Sequence, residues 1–440
     1  MCSIRTALFP VLLLGLCACG GGSTSTPPNP APPTPVTVPA AWTSYVQAQA
    51  KPIRSLDLNY GDDSDLAFLG PLLRGRRVVA LGESGHGVAE FSQAKIRLIK
   101  YLHEQQGYDV LAFESSLLGC FLANEQVGQL DAKGFMQNSI FGVWSTEDVI
   151  KLFAYIQGTR ATAHPLLLAG FDVQLSSNAE TLARPGLFQE VVGKVDPVYA
   201  QQVHDLDVAF LLNFATPEYL KANGTDLQAK YQALTAFLDA HMAQLQAAYP
   251  DRSLLPLAVR QAAWGTGAHL RDLIDVLVIH DTASGLEERD AGMATNVGQL
   301  LETFYPDKKL LIWAHNGHIA HLGDLEEGWK DMGQWLADRY GSQIYSLGLF
   351  MYQGAECMND RSLKTILPAP AYSLEGLLHA AGQPCTFLDL SKAATAEGSV
   401  WMFQNLPARD WGYQPLNFIP RDQYDGILLV DTVHPPVYVN

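Results

Sequence analysis

One repeated pairing constrains this chain more than any other feature. A short apolar run of strand length ends in ionisable residues, and a stretch with helical spacing follows. Val78-Val79-Ala80-Leu81 ends in Gly82-Glu83-Ser84-Gly85-His86-Gly87; Phe91, Lys95, Leu98 and Leu102 then recur at helical intervals up to Gly107. Asp109 to Glu114 is the next run and Leu117 to Val127 the next helix. Ser145 with Asp148 reads as a capping box for a helix through Val149, Leu152, Phe153 and Ile156. Leu166 to Phe171 is a third run, ending in Asp172. Such alternation predicts an α/β fold: a largely parallel central sheet with helices on both faces. Leu310–Ala314, Ile344–Phe350, Thr386–Leu390 and Ile427–Val430 supply further strands.

The alternation stops for about a hundred residues, too long for a structureless loop in a compact domain. Thr216-Pro217-Glu218 carries the marks of a helix start. Leu227, Tyr231, Leu234, Leu238, Met242, Leu245 and Tyr249 then form one apolar stripe. Residues 178–284 are therefore expected to be an all-helical insertion, a lid or pocket wall, between two parts of one α/β domain, 41–177 and 285–440.

The N-terminus reads as an address. Arg5 precedes an apolar stretch from Ala7 to Ala18, which ends in Leu16-Cys17-Ala18-Cys19. This pattern is similar to a bacterial lipobox and makes 1–19 a signal peptide with Cys19 as the lipidated residue. Residues 20–40, rich in Gly, Ser, Thr and Pro, form a tether that cannot pack a core. The expected location is the bacterial cell envelope, as an outer-membrane lipoprotein facing the periplasm, touching the membrane through its lipid anchor alone. With 29 basic against 45 acidic residues, the chain lacks the excess cation that nucleic acid or an anionic lipid surface demands. Of the cysteines in the folded part, Cys357 and Cys385 are the candidate disulfide pair, and Cys120, in an apolar helical pattern, is expected to be a buried thiol.

Ligands of open α/β sheets bind beyond the carboxyl ends of the strands. Four such ends deliver Glu83 and His86, Glu114, Asp172, and His315 with His318 from Ala314-His315-Asn316-Gly317-His318. A serine nucleophile elbow is disfavoured, because His86 stands where the last glycine of the Ser84 motif belongs. Gly82, Gly85 and Gly87 approximate a phosphate loop but match no Walker pattern. Activation of water suits the residue types best: a histidine held by carboxylates takes the proton, and cationic groups stabilise the oxyanion.

Five ordered segments make the chain resemble the erythromycin esterase-like hydrolases. They are Leu81-Gly82-Glu83-Ser84-Gly85-His86-Gly87, Ala112-Phe113-Glu114-Ser115, Gly170-Phe171-Asp172, the stretch from Arg289 to Asn296, and Trp313-Ala314-His315-Asn316-Gly317-His318. The resemblance implies cleavage of a carboxylic ester or lactone without a cofactor, the substrate being a macrolide-like or envelope-derived small molecule. It implies that His86 is the general base, that Glu83 and Glu114 orient and polarise it, and that His315 and His318 assist charge stabilisation. Arg289 would support the site or contact the substrate carbonyl, and Lys95 is the nearest match to a basic residue expected on the first helix. Two alternatives stay open. Glu83, His86, Glu114, His315 and His318 are a workable ligand set for a divalent metal, which would make this a metal-dependent hydrolase. A haem- or small-ligand-binding lipoprotein of similar fold would use an exposed histidine of the same rim.

Overall fold

The computed structural model describes residues 37–322 and 328–439. Its strands are β1 (Lys51–Pro52), β2 (Val78–Leu81), β3 (Tyr108–Ser116), β4 (Leu167–Asp172), β5 (Lys309–Trp313), β6 (Ile344–Cys357), β7 (Leu363–Ile366), β8 (Cys385–Asp389), β9 (Leu406–Asp410), β10 (Gln414–Phe418) and β11 (Gly426–Val433). Nine form one sheet in the order β1-β8-β11-β6-β2-β5-β3-β4, with β7 beside β6; β9 and β10 make a separate hairpin. The six strands from β11 to β4 are mutually parallel, whereas β7 and β8 run antiparallel to their neighbours. The late strand β5 lies between β2 and β3, so residues far apart in sequence end on one rim.

Alternate side chains of each parallel strand point to opposite faces, and both faces are buried. Val78, Ala80, Val110, Ala112, Leu310 and Ile312 belong to one core. Their neighbours Val79, Leu81, Leu111, Phe113, Leu311 and Trp313 belong to the other. The second core is covered by the helices Ala89–Gln106, Ala132–Gln137 and Glu147–Thr159. The first is covered by the helical region that follows β4 and by Met332–Tyr340 and Leu374–His379.

From Asn178 to Gln299 the chain is a succession of helices without a strand, including the 32-residue Pro217–Ala248. Its stripe buries Leu227, Tyr231, Leu234, Leu238 and Leu245. The boundary expected at 284/285 falls inside the helix Thr282–Gln299, because that helix both closes the bundle and packs on β4. Among the described residues no helix is long and apolar enough to cross a membrane. The signal segment, Cys19 and most of the 20–40 tether lie outside the described residues.

Two local expectations need correction. The cap of the helix Glu147–Thr159 is Thr146, not Ser145: Thr146 has the extended backbone, and its hydroxyl accepts from the Val149 N–H at 3.3 Å. Cys357 and Cys385 are free thiols. Strand β11 lies between their strands, and Cys385 is level with Val430 and thus with Met351, six residues before Cys357. Two strand spacings and six residue rises separate them by about 20 Å, far beyond disulfide reach. Cys120 is buried, with its Sγ 3.5 Å from the Ser139 carbonyl.

Candidate active site

The turn after β2 is held close to its neighbours. A Cβ on Gly82 would stand 2.1 Å from Asn316 Oδ1, and one on Gly85 would stand 2.3 Å from Glu356 Oε2. The glycines therefore serve close packing of the turn, which accounts for the pattern without a phosphate. This turn points Glu83 into the protein, where it is fully buried. Its Oε1 accepts from Trp144 Nε1 at 2.7 Å and meets His86 Nδ1 at 2.8 Å; its Oε2 lies 2.5 Å from Lys95 Nζ. Lys95 is also fully buried, 4.1 Å above the Trp313 ring. Burial pulls its pKa down to about 8, and the Glu83 carboxylate opposes that fall. With Nδ1 engaged, His86 Nε2 makes no hydrogen bond among the described residues. The His86 ring, 12% exposed at its side chain, is met edge-on by Trp144, Trp411 and His315.

A second cluster comes from β3, β4, β5 and the helix Thr282–Gln299. Arg289 Nη2 bridges Glu114 Oε1 at 2.8 Å and Asp172 Oδ2 at 2.5 Å. Glu114 Oε2 accepts the backbone N–H of His315 at 2.9 Å. His318 places Nδ1 2.8 Å from Asp290 Oδ1 and Nε2 3.3 Å from Glu114 Oε1. Burial pushes Glu114 up, yet His318, Arg289 and His86 outweigh it and hold the carboxyl well below the usual range. Burial likewise lowers His318, but Asp290 and Glu114 raise it well above an ordinary imidazole and favour its cationic form, although Arg289 Nη1 also lies 3.2 Å from its Nε2. His315 is driven the other way by burial and by the positive charge of His86 and His318. Its Nδ1 accepts from the Gly317 N–H at 3.2 Å, so neutral His315 carries its proton on Nε2.

All seven site residues expected from the sequence thus gather here, in two linked groups: Glu83, His86 and Lys95, and Glu114, Arg289, His315 and His318. Asp172 and Asp290 join the second group. Asp290 does not pair with Arg289, its sequence neighbour; it takes His318. The β9–β10 hairpin adds Trp411, stacked on His315 at 5.4 Å between ring centroids, and Asp410, whose Oδ1 is 3.4 Å from His315 Nε2. Neither was foreseen, because they follow no long apolar run. Ser84 is buried with its Oγ unpartnered and its backbone tied to Leu349 and Trp411, and no imidazole bonds to it.

The arrangement suits proton abstraction from water at His86 Nε2, beside donors for a developing oxyanion. It does not suit a metal. Among the described residues no group of three or more His, Cys, Asp or Glu is disposed to hold one. Glu83 is spent on Lys95, Glu114 on Arg289, and His318 carries a proton. Cations therefore occupy the positions between the carboxylates.

A family model described as erythromycin esterase matches residues 103–433. The chain is 32% identical over 422 residues to the candidate hydrolase YbfO of Bacillus subtilis, covering 90% of this chain and 92% of that protein. It is 25% identical over 306 residues to an Escherichia coli protein named erythromycin esterase type I, covering 63% and 71% respectively. A crystal structure of a Bacillus cereus protein superposes with a TM-score of 0.76 over 90% of this chain and 98% of that one, at 19% identity, a likeness of fold.

Proposed function

Because the chain belongs to the erythromycin esterase family of hydrolases, we propose that it cleaves a carboxylic ester or lactone of a small molecule with water activated by His86. One observation carries this reading: the Glu83 carboxylate, fixed by Trp144 and Lys95, holds His86 Nδ1 at 2.8 Å and leaves Nε2 for water. As Nε2 takes a proton, the imidazolium is supported by Glu83. Water attacks the carbonyl carbon. The oxyanion finds Arg289 and the cationic His318 nearby, together with the neutral donor His315 Nε2–H. Glu114 acts through others, holding Arg289 and the His315 backbone.

The helices between residues 178 and 284 are assigned the wall of the pocket on the β4 side. Gln261 holds Asn296 at 2.8 Å, and Asn296 holds the Phe171 carbonyl at 2.8 Å, next to Asp172. The substrate class is macrolide-like or envelope-derived. The lipobox-like segment ending at Cys19 supports a cell-envelope location, as an outer-membrane lipoprotein facing the periplasm.

The test is an ester panel, macrolides and generic acyl esters, given to the purified protein with and without chelator. Turnover should be indifferent to chelator, and His86→Gln should lower kcat by about 10² to 10⁴, the worth of a positioned base. No ester turned over, with a Soret band on haem titration, would replace this reading by the binding one.

A further inference from the structure

The β9–β10 hairpin brings an acid, Asp410, to the histidine rim. Trp411, at its turn, has a positive φ of 48°, and its N–H is held by the Ser84 carbonyl at 2.6 Å. This pins the turn to the loop that carries His86. Trp411 lies edge-on to His86 and stacked on His315, so the residue before it, Asp410, stands at the edge of both. The Asp410 side chain is 30% exposed and 3.4 Å from His315 Nε2. That nitrogen is buried and has no hydrogen-bond partner, although it carries the proton of the neutral ring. A donor left unpaired beside a half-buried acid is a costly arrangement unless a ligand completes it.

We propose that Asp410 is the general acid of the reaction, giving its proton to the alkoxide that departs when the ester C–O bond breaks. The inference rests on the hydrolytic reading and adds its second proton transfer. Water loses a proton to His86 Nε2 and its oxygen bonds to the carbonyl carbon. When the tetrahedral intermediate collapses, the C–OR bond breaks with its electron pair on oxygen, and the Asp410 proton passes to that oxygen to give the alcohol. His86 is then an imidazolium and Asp410 a carboxylate. A proton relayed from the first to the second through solvent restores both.

The surroundings shift Asp410 toward its protonated form near neutral pH. Burial pushes its carboxyl up to about 7, while the Trp411 N–H, His86 and His318 pull it down. The other titratable groups facing it are His315, Glu356 and Tyr424. Glu356, behind Gly85, has two buried oxygens without partners and is itself pushed up to about 8 by burial and by Asp410. The pocket behind the acid thus disfavours negative charge.

Leaving-group dependence separates this role from a structural one. The full-length protein and its Asp410→Asn variant are compared on the 4-nitrophenyl and ethyl esters of one short-chain acid. A nitrophenolate leaves without a proton; an ethoxide does not. Asp410→Asn should lose about 10² or more in kcat on the ethyl ester and less than about threefold on the nitrophenyl ester, with Asp410→Glu recovering part of the loss. The parent supplies a second measure that needs no variant. Its ethyl-ester rate should fall as pH rises through about 7, where Asp410 deprotonates, and its nitrophenyl-ester rate should not. Equal losses on both esters, no loss on either, or the same alkaline limb for both would overturn the proposal. His86→Gln should lose both esters, and failure of that result would strike the base, not the acid. A parent that turns over neither ester overturns the hydrolytic reading and the proposal with it.

Discussion

Glu83→Gln removes one charge from the rim and changes almost nothing in shape. Glu83 shares two oxygens among Trp144 Nε1, His86 Nδ1 and Lys95 Nζ; glutamine offers one. With that oxygen kept toward Trp144 and His86, the amide nitrogen faces Lys95. Lys95 is already pulled to about 8 by burial, even with the carboxylate beside it. Without the anion it becomes a neutral amine at pH 7 and accepts from the amide. The variant therefore folds, at a cost of about 1–3 kcal/mol. Its kinetic loss is that of two charges removed together. At an effective dielectric of about 20, an imidazolium about 4 Å from a carboxylate gains about 4 kcal/mol, and one about 7 Å from an ammonium loses about 2. The support withdrawn from the protonated base is then about 2 kcal/mol, or roughly a 30-fold fall in kcat. The assay is kcat at pH 7 on an ester the parent turns over, beside a urea melt. The double variant Glu83→Gln/Lys95→Met should match the single one, since the lysine charge is gone from both. A folded Glu83→Gln enzyme within twofold of the parent, or a tenfold gap between single and double variants, would refute the reasoning.

Ser84→Ala should leave kcat within about threefold of the parent, since no imidazole bonds to the hydroxyl; trapping an acyl group on Ser84 would contradict this. Lys95, held near 8 when folded against 10.5 as its ordinary value, binds fewer protons folded than unfolded between those limits. Stability should therefore rise with pH there, by about 2 kcal/mol from pH 8 to 9.5, in the parent and not in Lys95→Met. A urea-midpoint difference between the two proteins that is flat over this range would contradict it. Trp411→Ala should open His86 and His315 to bulk water and lower kcat/KM by about tenfold while costing about 1–2 kcal/mol of stability, read by paired kinetics and melts. Cys19→Ser should release the protein from the membrane fraction; unchanged fractionation would remove the lipid anchor from the account.

Legibility in the sequence followed the physics of each residue's placement. Glu83, Glu114, Asp172, His315 and His318 sit where buried parallel strands end, and there the switch from apolar to ionisable side chains is abrupt. Lys95 came only from the family resemblance, as the nearest match to a basic residue expected on the first helix; its burial beside Phe91 and Leu98 could not be read from the sequence. The role of Asp172 was not readable. Its partner Arg289 is 117 residues away, and a carboxylate that ends a strand looks the same whether it caps a loop or grips an arginine. Asp410 and Trp411 lie on a two-stranded hairpin outside the main sheet, half buried, with Pro407 in its first strand. Nothing periodic marks such a hairpin, and its place over the rim is fixed by long-range bonds from Trp411 to Ser84 and from Arg409 to Glu375, Leu367 and Tyr352. The cysteine pairing failed because composition and compartment say nothing of strand order, and β11 stands between the two thiols.

Charge explains why the rim draws on so many elements. Glu83, Glu114, Asp172 and Asp290 are four carboxylates; Lys95, Arg289 and the cationic His318 are three positive charges paired among them. With His86 neutral the cluster keeps one uncompensated negative charge. A proton taken from water balances it, and the oxyanion formed in the same step lies on the side of Arg289 and His318. In the proposed reaction two charges would thus develop against fixed partners of opposite sign, in a site where Trp144 and Trp411 stand edge-on to His86. One strand and one helix could not supply this set without placing like charges side by side. Four parallel strand ends with two helices keep every carboxylate beside a cation, Glu114 and Asp172 sharing Arg289.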